Sequence, residues 1–256
     1  MFILGLRHGF DPDHIAMIDN MVYQTLQARP QTAPWVGTLF ALGHGLTVTA
    51  IAVAIGAFAE GVVMPSALSA AFGWLPIALL IVIGTLNLRA LLRQQTYQAV
   101  GWKTHFIPAR LRNSSHPLAI FLVGIIFALV FDTATQAAAW GYAATTHSGA
   151  LLALLVGLVF TLGMVITDTL DGRLMVRFLR KLSHQNQALA YRRKIGWLVV
   201  VLSYGIAAYG IAKYFQPSLA LSDTAMTATG FSLFAGLLVA YLWLSQRLAA
   251  KPASGP

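Results

Sequence analysis

The chain has 256 residues, of which 57% are hydrophobic and only 10% charged, and it carries a net charge of +9 with no cysteine. A soluble domain carries about 25% charged residues, so this composition excludes a water-soluble globular protein. The absence of thiols excludes disulfides and leaves His, Asp, Asn, Met and backbone groups as the only metal ligands.

Seven apolar runs follow one another, roughly 2–26, 35–60, 69–93, 117–145, 149–172, 195–215 and 225–246. Each reaches the roughly 20 residues that cross a bilayer. Backbone groups in lipid must bond within their own segment, so the runs read as helices. The predicted fold is an all-α integral membrane protein of about seven transmembrane helices, one polytopic domain over 1–256. With the N-terminus outside, 15 of the 17 basic residues fall on the inner side, and only Arg7 and Lys213 lie elsewhere. That is the positive-inside pattern of a multi-pass protein of the cytoplasmic membrane with its C-terminus inside. It accounts for the charge by orientation and contact with anionic lipid rather than by nucleic acid. The start lacks a basic leader with a small-residue cleavage site. The polar stretches 94–116 and 173–194 read as cytoplasmic loops, too short to bury a core of their own.

The first run carries Arg7-His8-Gly9-Phe10-Asp11-Pro12-Asp13-His14. Two imidazoles and two carboxylates in seven residues are excessive for a lipid-facing helix. Imidazole suits Ni, Cu, Zn and Fe, and carboxylate adds a harder oxygen donor. His8 and Asp11 share a face of an ideal helix, but Asp13 and His14 point away from His8. Pro12 lacks the N–H that would bond the carbonyl of His8, and Gly9 adds backbone freedom. The spacing therefore predicts a kinked or partly unwound helix around 8–13 whose four side chains converge on a metal ion. The alternative is a polar cap paired with Arg7.

In the second run His44 lies between two glycines, as a hydrogen-bonded partner of the metal residues or a transient ligand. Asn87 in the third run and Gln136 in the fourth read either as part of a polar path or as helix–helix hydrogen bonds. Asp132 sits near the middle of the fourth run, where a carboxylate marks a functional site. In the fifth, Asp168 and Asp171 are one turn apart near the inner end. They line a cytoplasmic exit, or Asp171 pairs with Arg173.

Residues 37–49 and 157–169 match at an offset of 120, with Gly37/Gly157, Phe40/Phe160, Gly43/Gly163 and Thr49/Thr169 identical. Phe10-Asp11 and Phe131-Asp132 match at an offset of 121. Three helices recurring as three would invert the second copy, a transporter signature with the site where the repeats meet. The repeats are expected over 1–93 and 117–215, with the seventh helix outside them.

The stretch from His8 to His14 resembles the HxxxxDH signature of the nickel/cobalt permease family, abbreviated NiCoT. Leu42-Gly43-His44-Gly45, Phe131-Asp132-Thr133-Ala134-Thr135 and Gly163-Met164 through Asp168-Thr169-Leu170-Asp171-Gly172 agree in order, so the resemblance covers about residues 4–172. It implies high-affinity uptake of Ni2+ or Co2+ by one polypeptide without an ATPase subunit, the ion being substrate rather than cofactor. It makes His8, Asp13 and His14 the principal metal residues and matches Asp11, His44, Asp132, Asp168 and Asp171 to further polar positions. There are two departures. Family members typically have eight helices with this motif in the second, so a first helix is missing or the start is truncated. Gln136 also stands where glutamate is expected, one charge fewer.

No GxxxxGK[ST] nucleotide loop occurs. A metal exporter would use the same ligands, but no histidine-rich loop accompanies them. A membrane metalloenzyme would need HExxH or several histidine boxes, and neither is present. Four N/O donors at a broken helix lean toward square-planar Ni2+.

Overall fold

A computed structural model describes residues 1–58, 66–93, 107–129, 149–181 and 185–219, with isolated positions beyond 219. Among the described residues the chain consists of helices joined by short turns, with no strand. The helices are α1 Phe2–His8, α2 Pro12–Ala28, α3 Val36–Phe58 after a 3-10 turn at Ala33–Trp35, and α4 Ser66–Arg93. Then come α5 Ala109–Arg112, α6 Pro117–Leu129, α7 Gly149–Lys181 and α8 Gln185–Phe215. Stretches 33–54, 151–180 and 196–215 are long and apolar enough to cross a membrane, and α6 is a shorter apolar helix. Apart from isolated positions, the seventh predicted run lies outside the described residues, as do residues 130–145 of the fourth.

The first run is two helices rather than one. α1 stops at His8 and α2 begins at Pro12. Proline is favoured at a first helical position because the N–H it lacks has no partner there. The carbonyl of His8 instead accepts the N–H of Asp11 at 2.9 Å. Gly9 has φ −62 and ψ −12, an ordinary right-handed conformation, so backbone freedom is not why glycine stands there. A Cβ at Gly9 would lie 2.7 Å from Oδ1 of Asp168 and 2.8 Å from Cβ of Thr167. Glycine is what lets the break seat against α7.

The fifth and sixth runs are also longer than hydropathy indicated. α7 continues to Lys181 and α8 starts at Gln185, so most of the predicted loop 173–194 is helix. Hydropathy marks where apolar character ends, whereas Leu, Met, Arg and Lys favour helix in water as well.

α2 lies at the centre, with every residue from Pro12 to Asp19 buried. On one side Met17, Ile18, Met21 and Val22 pack with Val36 and Phe40 of α3, Ile120, Val123 and Phe127 of α6, and Met175 and Val176 of α7. On the other, Ile15 meets Ile83 and Val199, and Ala16 meets Leu91 and Val200.

Small residues draw the surrounding helices together, as between membrane helices. A Cβ at Gly5 would meet the carbonyl of Phe160 and the N–H of Met164; one at Gly124 would meet the carbonyl of Phe40 and the N–H of His44. A Cβ at Gly163 would meet the carbonyl of Phe2 and the N–H of Leu6; one at Gly43 would meet those of Phe121 and Ile125. The α1–α7 contact thus has a counterpart, atom for atom, in α6–α3, at sequence offsets of 119 for α1/α6 and 120 for α3/α7. Gly37 against Thr169 is repeated as Gly157 against Thr49, again at 120. Gly84 against Ser203 is repeated as Gly210 against Ile77 at an offset of 126. The α1/α6 register is therefore two residues from the 121 read off Phe10-Asp11 and Phe131-Asp132, the latter pair lying outside the described residues.

Candidate metal site

The break between α1 and α2 places His8 at the end of one helix and Asp11, Asp13 and His14 in the cap and first turn of the next. His44 comes from α3 and is brought in by the close α3–α6 contact at Gly43 and Gly124. His8, His14 and His44 are each 0% exposed. One ring nitrogen from each lies within 4.8 Å of the others. The His8 and His44 Nε2 atoms are 3.2 Å apart. Three nitrogens about 2.1 Å from one ion lie about 3.5 Å apart, so the widest gap between the rings would have to close by roughly an ångström around a transition-metal ion.

Carboxylates stand beside two rings. The Asp11 carboxylate lies 2.9 Å from Nδ1 of His8, and Oδ2 of Asp168 lies 3.2 Å from Nδ1 of His14. Asp168 holds the hydrogen on Nδ1 of His14 and leaves its Nε2 with the lone pair, the carboxylate–histidine arrangement that orients metal ligands, while the Asp11 carboxylate lies beside His8 as a charge neighbour. If His8 Nε2 is the acceptor, Nε2 of His44 must carry the hydrogen between them. An ion bound there would require that hydrogen to move away from Nε2, so that both lone pairs could face it.

Phe40, Phe127 and Phe160, each 0% exposed, wall the rings. His14 lies 5.2 Å from Phe40 and 5.5 Å from Phe127, and His8 lies 5.4 Å from Phe160, centroid to centroid. Such a lining leaves little room for ligand waters and favours an ion stripped to its protein donors. This apolar wall was not visible in the sequence, because each phenylalanine stands in an ordinary apolar run.

The predicted residues fare differently. His8 and His14 stand in the three-imidazole cluster, and His44, read as a partner or transient ligand, stands there with them. Asp11 and Asp13 do not belong to that cluster. Asp11 stands beside His8, and Oδ1 of Asp13 accepts the N–H of His14 at 3.0 Å. Asp168 is buried at 0% exposure and reaches His14. Asp171, one turn on, is half-buried and makes no ion pair with Arg173 among the described residues. It stands in the field of Asp168 and of Asp19. Asn87 is buried on α4, and its amide donates to the carbonyl of Ile83 at 2.9 Å. Asp132 and Gln136 lie outside the described residues. Asp19, 3% exposed on α2, received no role from the sequence, although a carboxylate five residues beyond His14 in an apolar run was signal enough.

A family described as "High-affinity nickel-transport protein" (NicO) matches residues 1–246 of this chain. The nickel transporter NicT of Mycobacterium tuberculosis is 29% identical over 206 residues, covering 68% of this chain and 55% of that protein. The nickel transporter NixA of Staphylococcus aureus is 30% identical, covering 68% of this chain and 59% of that protein. The cobalt transport protein NhlF of Rhodococcus rhodochrous is 30% identical, covering 69% of this chain and 58% of that protein. The chain thus spans a little over half the length of these curated relatives. No solved structure matches it.

Proposed function

This chain belongs to the NicO family of high-affinity nickel-transport proteins, and from that premise we propose that it takes up Ni2+ or Co2+ across the cytoplasmic membrane without ATP hydrolysis. The observation that carries the reading is the convergence of His8, His14 and His44, fully buried, with carboxylates beside two of them. Three neutral imidazoles in an apolar wall form a donor set for a borderline transition metal, not for Mg2+ or Ca2+, which take oxygen. The ion is substrate, and a membrane potential negative inside favours inward movement of a divalent cation by about 4.6 kcal/mol per 100 mV. From the cluster, Asp168 and Asp171 lead along α7 toward its basic end, with Asp19 beside them, and Asp132, Asn87 and Gln136 are assigned to the same polar path. Uptake of radioactive nickel by vesicles holding the wild type and His44→Ala at matched expression tests the reading. Loss of saturable uptake in the variant supports it; wild-type uptake there sinks it.

The paired contacts support a 3+3 inverted repeat, α1, α3 and α4 in one half and α6, α7 and α8 in the other. Phe40 and Phe160 are counterparts in that scheme and flank the imidazoles from both halves, which supports a site at the junction of the repeats, as in other transporters. The α1–α7 and α6–α3 contacts then lie on opposite sides of the ion. They act as an outer and an inner gate that open alternately.

A further inference from the structure

Beyond the metal site, α7 ends in three arginines on one stripe. Arg173, Arg177 and Arg180 line, with Pro34, Trp35 and Val176, a cavity of 280 Å³. The Arg173 guanidinium lies 5.0 Å over the Trp35 ring, and Arg180 donates to the carbonyl of Pro30 at 2.9 Å. Among the described residues no carboxylate forms an ion pair with any of the three. Guanidinium groups stay charged at any physiological pH and match phosphate oxygens two at a time. Three of them facing one cavity want an anion of that geometry.

The remainder of the stripe identifies the anion's carrier. Two, three and more turns back along the same face of α7 stand Ile166, Leu162, Leu158, Leu155 and Leu151, between 38% and 70% exposed. From Ile166 to Leu151 this apolar track runs about 22 Å at 1.5 Å per residue, the length of an acyl chain. Trp35, 51% exposed, sits beside Arg173, the first basic residue after the apolar part of α7, the level at which tryptophan anchors in a bilayer. A free phosphate ion has no use for the track; a lipid uses both parts.

We propose that the cavity between α7 and the Pro30–Trp35 turn binds an anionic phospholipid, its phosphate on Arg173 and Arg177 and an acyl chain along Leu151–Ile166. Arg180, held by Pro30, closes the far side. The occupant ties α7 to the turn that leads into α3, and α7 also carries Asp168, which orients His14. The lipid therefore steadies the helix on which the metal site leans. The inference rests on α7 lying in a bilayer, not on which metal the imidazoles take.

The full-length protein, reconstituted in nanodiscs of phosphatidylcholine alone or with phosphatidylglycerol, tests this by thermal unfolding and by lipid retained on mild delipidation. The wild type is expected to retain phosphatidylglycerol at least threefold over phosphatidylcholine and to unfold at a higher temperature when it is present. Arg173→Gln/Arg177→Gln should lose both effects while unfolding as the wild type does in phosphatidylcholine. Arg177→Lys, which keeps the charge without the fork, should show an intermediate preference and serves as the readout if the double variant does not fold. Equal retention of the two lipids by the wild type would overturn the proposal. So would undiminished phosphatidylglycerol preference in the folded variant, or in Arg177→Lys where the double variant does not fold. A stabilisation that inorganic phosphate reproduces in phosphatidylcholine would overturn it in favour of a free-anion site.

Discussion

Nδ1 of His14 lies 3.2 Å from Oδ2 of Asp168, 154 positions further along the chain, and both side chains are completely buried. A carboxylate in such a place costs several kcal/mol unless it is partnered. Its partner is a ring that also faces two other imidazoles. Asp168 is thus the residue through which α7 orients the site. Asp168→Asn keeps an acceptor but removes the charge. It is expected to weaken Ni2+ binding about 10- to 100-fold, as loss of a carboxylate behind a metal-bound histidine does. Titration of the purified variant checks it, and affinity within twofold of the wild type would remove Asp168 from the site.

Gly9 makes a second prediction. The closest neighbours of a Cβ there are Oδ1 of Asp168 and the side chain of Thr167. Gly9→Ala should push α7 away, cost about 1–3 kcal/mol of stability through overpacking, and lower metal affinity through Asp168. If the glycine served only backbone freedom, alanine would be accepted, since φ is −62. Thermal unfolding with parallel Ni2+ titration separates the two accounts.

Protons compete with the metal. An imidazole must be neutral to bind, and an ordinary histidine takes its proton near pH 6.5. Each ligand that must release a proton makes affinity fall by up to about tenfold per pH unit below that value. Binding should therefore weaken as pH drops from about 7.5 to 5.5 and be flat above about 7.5. Affinity unchanged across that window would mean that oxygen donors hold the ion.

The proposed gates can be tested by locking, because the chain has no native cysteine. Ile3 and Leu162 flank the α1–α7 contact; Leu122 and Leu42 are their counterparts at offsets of 119 and 120 beside the α6–α3 contact. None of the four is buried. A cysteine pair at either place, bridged by a short bifunctional reagent cleavable by thiols, should abolish uptake, and thiol should restore it. Transport by either bridged form at the unbridged rate would contradict alternating gates.

The sequence revealed the helix break better than its ligand set. Pro12, which cannot supply the helical N–H to the carbonyl of His8, announces the interruption from local rules alone. His44's place in the cluster depends on how closely α3 approaches α6, which is set by Gly43 and Gly124 acting across 81 positions. Asp13 looked like a ligand by its neighbours, yet at the first turn of a helix its carboxylate accepts the N–H of His14. That contact is visible only once Pro12 is known to start a new helix instead of bending an old one. The internal match was legible in α3 and α7, where identical residues are dense. In α1 and α6 the matching residues are Phe2 and Gly5 with Phe121 and Gly124, and their significance lies in what they touch.

The central claim is that His8, His14 and His44 hold the ion together. Calorimetric titration of Ni2+ and Co2+ into the detergent-purified protein, wild type beside His8→Ala, His14→Ala and His44→Ala, tests it most directly. The account predicts one tight site in the wild type and its loss in each of the three variants while their unfolding remains cooperative. Tight binding that survives His44→Ala in a folded protein would contradict it and return the site to the Asp11–His14 segment alone.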